Sequence, residues 1–425
     1  MARDLHATID AVWRIEAARI IGAVARIVRD VGLAEELAQD ALVAAIEHWP
    51  RDGIPDNPAA WLMTTARNRA LDRLRQEALH LRRQQELGAD AAARGDHVVP
   101  DFSDALDERD SFGDDLLRLV FTACHPVLSR PVQVALTLRL LGGLTTTEIA
   151  RAFLQPEPTI AQRIVRAKRT LSAARVPFEV PQGEALRERM AAVLEVVYLI
   201  FNEGYSATAG EDWLRPALCE EALRLGRVLA ALAADEAEVH GLVALMEIQA
   251  SRLRARTDAA GRPILLPDQD RGRWDHVLIG RGLAALERAR TIAAASGAEP
   301  GPYALQAAIA ACHARARTAA ETDWAQIVAQ YDALLRCMPS PVVELNRAVA
   351  VGMAEGAGAA LPLVDSLARD PLLQRYHLMH AVRADLLDKL GRADEACDAL
   401  RRAAGLTQNA RERELLLARA QRLAH

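Results

Sequence analysis

Two helix-patterned segments separated by a pair of prolines constrain this chain more than any other feature. The first reads Leu144-Thr-Thr-Thr-Glu-Ile-Ala-Arg-Ala-Phe-Leu154. After Gln155-Pro-Glu-Pro158, the second reads Thr159-Ile-Ala-Gln-Arg-Ile-Val-Arg-Ala-Lys-Arg-Thr-Leu171. Thr145 and Glu148 have the spacing of a capping box, in which side chain and backbone amide satisfy each other reciprocally. Ile149, Ala150, Phe153 and Leu154 then form an apolar face. Pro156 and Pro158 forbid helix continuation and force a turn. A helix restarting at Thr159 places Ile160, Ile164, Ala167 and Leu171 on one side. Its other side carries Gln162, Arg163, Arg166, Lys168 and Arg169, and no acid occurs from Thr159 to Arg175. An apolar back for docking and a front of Arg and Gln forks are what a major-groove helix needs. The alternative is an ordinary helical hairpin with a solvated basic face.

This local basicity stands against an acidic whole. The 425 residues carry a formal net charge of −5, so any surface for nucleic acid is confined to part of the chain. Hydrophobic residues make up 51% and aromatics only 4%, with alanine abundant, which favours closely packed helices over a β-sandwich. The length suggests about two to four domains. Cys124, Cys219, Cys312, Cys337 and Cys397 are scattered without a CxxC pair and are expected to be buried free thiols in a reducing compartment. Cys124 beside His125 has no ligand spacing, and neither a metal nor a cofactor is expected. Asp4, Asp10 and Glu16 interrupt any apolar leader, and Ala191 to Phe201 is too short to span a bilayer. A cytoplasmic protein is expected.

From Ile9 to about Gln85 the pattern is helical, with Ile9, Val12, Trp13, Ile20, Val24, Ile27 and Val28 at helix spacing. After a break at Val31-Gly32, a helix from Leu33 to Trp49 has Leu37, Ala41, Leu42 and Ile46 on its apolar side. Glu35, Glu36, Gln39 and Asp40 lie opposite. A breaker-dense loop from Pro50 to Pro58 precedes a long helix, with Asn57 as N-cap and Pro58 in the first turn. Residues 87–113 read as a flexible acidic linker containing Asp101, Asp104, Asp107, Glu108 and Asp110. Beyond a second connector, Val176 to Gly183, the chain to His425 is helical with short breaks. Its best-defined hairpin, Tyr376 to Leu406, has small residues at the crossing and Gly391 at the turn. Those are marks of a tetratricopeptide-type pair; an irregular helical domain is the alternative.

The segments Leu37-Ala-Gln-Asp-Ala-Leu-Val-Ala-Ala-Ile-Glu-His-Trp49, Asn57-Pro-Ala-Ala-Trp-Leu-Met-Thr-Thr-Ala-Arg-Asn-Arg-Ala-Leu-Asp-Arg-Leu-Arg75 and the helix pair above together resemble bacterial RNA polymerase sigma factors. Ile9 to Arg75 resembles region two and Leu116 to Arg175 region four. Their order and acidic linker are similar to the extracytoplasmic-function class. Val196-Val-Tyr-Leu-Ile-Phe-Asn-Glu-Gly-Tyr-Ser206, together with Cys124-His125-Pro126 and Leu136 to Leu144, resembles a subgroup with a large tetratricopeptide-like C-terminal extension. Without the resemblance, Asn202, Glu203, Gly204 and Tyr205 read as helix termination, with Gly204 in a left-handed conformation.

The resemblance implies an all-α fold. Residues 1–86 would be region two, 114–178 region four with its helix-turn-helix, and 184–425 a larger helical extension with a regulatory role. It also implies that Glu36, Gln39 and Asp40 contact core RNA polymerase, acids suiting a basic partner surface; a solvated helix face is the alternative. The helix Ala60 to Arg75 would face the minus-ten promoter element. There Arg67, Arg69, Arg73 and Arg75 would hold phosphates, Asn68 a base edge, and Trp61 either an unstacked base or a place in the core. The preceding loop, Arg51 to Asp56 by position, would hold a flipped base of the melted non-template strand. Thr159, Gln162 and Arg163 begin the helix that would read the minus-thirty-five element, with Arg166, Lys168 and Arg169 on phosphates.

The resulting expectation is a non-enzymatic initiation subunit. It would bind core polymerase and double-stranded promoter DNA, help open it, and be tuned by its own C-terminal domain, which would take a protein or peptide partner. The alternative is a stand-alone helix-turn-helix regulator with a helical ligand- or protein-binding domain. An enzyme in the C-terminal half is disfavoured, because His240, Glu247, Asp268 and His276 lack catalytic or metal-ligand spacing.

Overall fold

The computed structural model of the protein describes residues 2–88, 111–153, 155–207, 209–210 and 213–423. The chain divides into two compact units, Met1–Val196 and Val197–His425. Nearly all regular structure is helical, as the alanine-rich, aromatic-poor composition requires. Residues 89–110, the bulk of the expected acidic linker, lie outside the described residues, as does Leu154.

The first unit begins with α1 (Ala2–Val28), α2 (Val31–Asp52) and α3 (Pro58–Gly88). Their shared core contains Ile20, Ile21 and Val24 of α1, Leu37, Ala38, Ala41 and Ala45 of α2, and Leu62, Ala66 and Ala70 of α3. The alanines recur at helical spacing on faces turned inward, which lets the backbones approach closely. The break between α1 and α2 falls at Arg29 and Asp30 rather than at Val31-Gly32. Arg29 takes a φ of 54°, and the Asp30 carboxylate accepts the Leu33 amide at 2.8 Å as the N-cap. Consequently α2 starts two residues earlier than expected and continues through Pro50 to Asp52, shortening the loop before α3. Ile46, expected on the apolar side, is exposed. Asn57 caps α3 as its sequence position suggests, accepting the Ala60 amide at 3.0 Å.

Next come α4 (Ser111–Ala123), α5 (Arg130–Leu140), α6 (Thr146–Ala152) and α7 (Glu157–Ala173). Gln133, buried at the start of α5, donates to the carbonyls of Cys124, His125 and Leu128 and so closes the turn after α4. The capping box forms: Glu148 accepts the Thr145 amide at 2.8 Å, and Thr145 accepts the Glu148 amide at 3.1 Å. The helix after the prolines begins at Glu157, not Thr159. Pro158 sits within its first turn, where a missing N–H costs nothing. Ile160, Ile164, Ala167 and Leu171 are all buried. Helix α8 (Gly183–Tyr205) supplies residues to both units.

In the second unit, the breaks between helices α9 (Pro216–Leu232) and α15 (Ala357–Leu367) hold glycine or proline at 251–275, 296–301, 338–340 and 355–356, whereas those at 233–236 and 316–323 hold neither. Successive apolar clusters share helices. Ala244 and Leu245 of α10 (Ala237–Ala250) and Leu286 of α11 (His276–Ala295) meet Ala307 and Ala311 of α12 (Pro302–Arg315). Leu305 and Ile309, on the other side of α12, meet Ile327 and Leu334 of α13 (Trp324–Cys337) and Val343 of α14 (Pro341–Ala354). Short α16 (Pro371–Gln374) leads to the hairpin of α17 (His377–Lys389) and α18 (Ala393–Leu406), turned by Gly391 at φ 74°. A short parallel pairing of β1 (Ala209–Gly210) with β2 (Gln408–Asn409) precedes the last helix, α19 (Ala410–Leu423). The Asn409 amide also donates to the Ala207 carbonyl at 3.0 Å, joining the start of this unit to its end.

Candidate nucleic-acid interface

The expected minus-ten residues all lie on α3, but their surroundings differ. Asn68 is exposed and makes no polar contact among the described residues. Arg73 pairs with Glu77 at 2.9 Å and Arg75 with Asp72 at 3.0 Å, both exposed pairs within one turn. Such pairs contribute about 0–1 kcal/mol, so a phosphate can replace the carboxylate at small cost. Arg67 is half-buried. Arg69 reaches Asp40 of α2 at 3.5 Å, so a residue expected to bind DNA and one expected to bind polymerase meet in an ion pair. Trp61 is half-buried and lies edge-on to the buried Trp49. Residues Arg51 to Asp56 are exposed apart from half-buried Pro55, though Arg51 and Asp52 form the last turn of α2.

On α7, Thr159, Gln162, Arg166 and Arg169 are exposed, and Arg163 is half-buried. Gln162, Arg163, Arg166 and Arg169 have no ion-pair or hydrogen-bond partner among the described residues, which leaves their donors available. Lys168 differs. Its ammonium lies against one carboxylate oxygen of Glu35 in an ion pair rather than an aligned hydrogen bond. Arg139 Nε donates to the other oxygen at 2.7 Å, and Gln39 Nε2 donates to that same oxygen at 2.6 Å. Glu35 is only 2% exposed, which corrects its expected place on the solvated side of α2. Its neighbours Glu36 and Gln39 are exposed and half-buried respectively. Helical spacing gave no signal for this burial, because the two cationic partners, Arg139 and Lys168, lie on α5 and α7.

Two motifs that invite functional readings are held in structural contacts. Burial pushes the Cys124 thiol up to about 11, so it stays protonated, and His125 falls below the usual imidazole range because burial disfavours its charged form. Cys337 is exposed, against the expectation that all five thiols are buried. The Asn202–Tyr205 segment ends α8. Gly204 is not left-handed; it is helical, and a Cβ added there would sit 2.7 Å from the Cys219 amide nitrogen of α9. Glu203 forms an ion pair with Arg215, and the Arg215 amide donates to the Gly204 carbonyl at 2.7 Å. Arg256, buried with its charge disfavoured by that burial, stacks 3.6 Å from the Tyr205 ring centroid and donates to the Tyr205 carbonyl. The signature is thus a joint between α8, α9 and the turn after α10.

The second unit also contains a cavity of about 920 Å³ lined largely by apolar side chains, among them Leu266, Trp324, Leu378 and Val382, with Asp385 and Arg419 at its wall. Among the described residues no group of three or more His, Cys, Asp or Glu is placed to hold a metal ion. His240 bonds the Ala234 carbonyl at 2.8 Å, and Glu247 pairs with Arg227. No described helix is long and apolar enough to cross a membrane.

Residues 14–79 match sigma-70 region 2, and residues 118–171 match sigma-70 region 4. The ECF RNA polymerase sigma factor SigK of Mycobacterium ulcerans (strain Agy99) is 33% identical over 157 residues, covering 36% of this chain and 78% of the relative. The chain belongs to the extracytoplasmic-function sigma factor family. Residues 189–290 of this sigma factor match a family of unknown function, DUF6596, and contain the Asn202–Tyr205 joint. An uncharacterized protein of Rhizobium meliloti (strain 1021) is 45% identical over 393 residues, 92% of this sigma factor and 90% of the relative. The extension is therefore shared along with the sigma regions. No solved structure matches the chain.

Proposed function

We propose that this sigma factor binds core RNA polymerase through the exposed side of α2 and directs it to promoters by reading two elements. Glu36, Gln39 and Asp40 contact the polymerase. Arg67, Asn68, Arg69, Arg73 and Arg75 of α3 engage the minus-ten element, and the loop before α3 holds a base of the melted non-template strand. Thr159, Gln162 and Arg163 read the minus-thirty-five element, with Arg166, Lys168 and Arg169 on phosphates. Nucleotide chemistry belongs to the polymerase; the chain itself supplies positioning and binding energy. The observation that carries this reading is the basic front of α7, with four polar or charged side chains unpartnered among the described residues in a chain of net negative charge. Those donors serve a polyanion, and promoter DNA is the polyanion that a sigma factor meets.

In the same reading, residues 1–86 act as region two and 114–178 as region four, with residues 87–113 as the tether. Residues 184–425 form a tetratricopeptide-like scaffold that regulates the sigma regions and takes a protein or peptide partner. Helices that share successive apolar clusters support that assignment, and the large apolar cavity offers such a partner a place.

The test is transcription in vitro with purified core polymerase on a promoter library. Selected start sites sharing two spaced elements support the reading. Failure to co-purify with core polymerase, while duplex DNA is still bound, refutes it and favours a stand-alone regulator. Truncation near Pro181 tests the extension: unchanged transcription under every condition tried excludes regulation by it.

A further inference from the structure

We infer that the cavity of the second unit takes a small amphipathic organic acid, its carboxylate at Arg271 and its apolar body against Leu266, Leu378 and Val382. At one end of that cavity the wall is formed by Arg271 and His313. Behind them stands an unusual group of side chains. Arg271 lies 4.9 Å from the ring centroid of Trp274, and Arg252 lies 5.8 Å from the same ring and 5.7 Å from that of Tyr205. Arg256 stacks on the other side of the group, on Tyr205. Each guanidinium meets aromatic rings or backbone oxygens instead of a carboxylate. Burial, with Arg252 beside it, disfavours the charge of Arg271.

Buried nitrogens without a partner among the described residues gather at the same place: Arg252 Nε, Arg271 Nε, Trp274 Nε1 and His313 Nδ1. Trp274 is only 4% exposed. A buried donor left without an acceptor costs about 1–3 kcal/mol, so several together, beside surplus positive charge, call for an anion with more than one oxygen. These nitrogens are sealed from solvent, so an acceptor reaches them from the cavity as the side chains turn toward it. His313, held down to about 4 by burial, is neutral at pH 7 and adds a polar contact without a charge. The acids of the cavity do not compete for this end. Asp385 is taken by Lys389 at 2.9 Å and Arg419 at 3.1 Å, and Asp268 and Asp388 are exposed.

The remaining wall selects the body of the ligand. Its volume of about 920 Å³ and its leucine, valine and tryptophan lining suit a hydrocarbon chain or fused ring. The acid and a docking peptide would compete for this space. The inference rests on the regulatory reading of residues 184–425 for that consequence only; binding itself stands apart from it.

The test is calorimetric titration of the full-length chain with octanoate, decanoate and naphthoate, each beside its matched alcohol. At least one acid is expected to bind about tenfold more tightly than its alcohol, the worth of a charge-assisted hydrogen bond. Arg271→Gln is expected to abolish that preference. Because Arg271 also donates to the carbonyls of His313 and Ala316, its loss can disturb the fold, and Arg252→Gln provides a second variant. Arg252 makes no side-chain hydrogen bond or ion pair among the described residues. Its replacement is expected to weaken the acid roughly threefold through lost charge and to leave the alcohol unchanged. Leu378→Trp, which fills the cavity, is expected to weaken acid and alcohol alike. If no acid outbinds its alcohol, or if both arginine variants keep the full preference, the inference is overturned. Tighter binding of an apolar peptide with an amidated end than of any acid overturns it too. Failure of the regulatory reading looks different: an acid binds as described, yet transcription with core polymerase is the same with and without it.

Discussion

Trp61, in the first turn of α3, packs edge-on against Trp49, near the end of α2, with ring centroids 5.6 Å apart and planes at 71°. This contact spans the loop at 53–57 and ties the end of α2 to the start of α3. One part of the Trp61 ring is therefore committed to the protein. Edge-to-face aromatic pairs add about 0.5–1.5 kcal/mol beyond their buried area. Trp61→Ala is expected to lower the stability of the first unit by about 2 kcal/mol, less than for a fully buried tryptophan. Trp61→Phe is expected to keep most of it. Urea denaturation followed by circular dichroism measures both, and permanganate footprinting of an open promoter complex reads whether either change affects melting.

At Gly204 the expected sign separates close packing from simple helix ending. Alanine in a helix interior ordinarily stabilises by about 0.5–1 kcal/mol relative to glycine. Here the added methyl meets the Cys219 backbone at 2.7 Å, which α9 cannot yield cheaply. Gly204→Ala is therefore expected to destabilise the second unit by about 1–3 kcal/mol, the usual range for overpacking. A raised melting temperature would show that α9 is free to shift.

Arg163 and Arg166 are expected to differ in kind. Arg163 stands near the start of α7, where a recognition helix reaches base edges, and Arg163→Ala should cost about 1–3 kcal/mol of discrimination between promoter sequences. Arg166→Ala should weaken binding to all sequences alike and lower the salt slope by about one ion. Binding measured on matched and mismatched duplexes over a salt series resolves the two.

His313 gives the second unit an acid sensitivity. Burial, reinforced by Arg252 and Arg271, lowers its imidazole to about 4. The unfolded chain titrates near 6.5, so between these values the unfolded state binds a proton that the folded state refuses. Stability is complete above about 6.5 and is lost as pH falls toward 4, by at most about 3 kcal/mol from this group. His313→Gln is expected to flatten the pH dependence of the urea midpoint between pH 7 and about 4. An unaltered slope would assign the acid sensitivity to other groups.

The sequence by itself determined what rests on neighbours within a turn or two. The capping box of Thr145 and Glu148, the Asn57 cap, the apolar side of α7 and the turn at Gly391 all follow from local hydrogen bonding and a 3.6-residue period. The same reading placed Gln162, Arg163, Arg166 and Arg169 on one exposed or half-exposed front. The tertiary structure alone decided which charges remain available and which are taken up. Glu35 looks like any residue on a polar helix side, yet it is buried by Arg139, which lies 104 positions away in the chain. Gly204 resembles a helix stop until Cys219 approaches it, and Asn409 joins Ala207 across 202 positions. Such partners leave no trace in the local pattern. A side chain's burial is set by the surface that comes to face it, and that surface is encoded elsewhere in the chain.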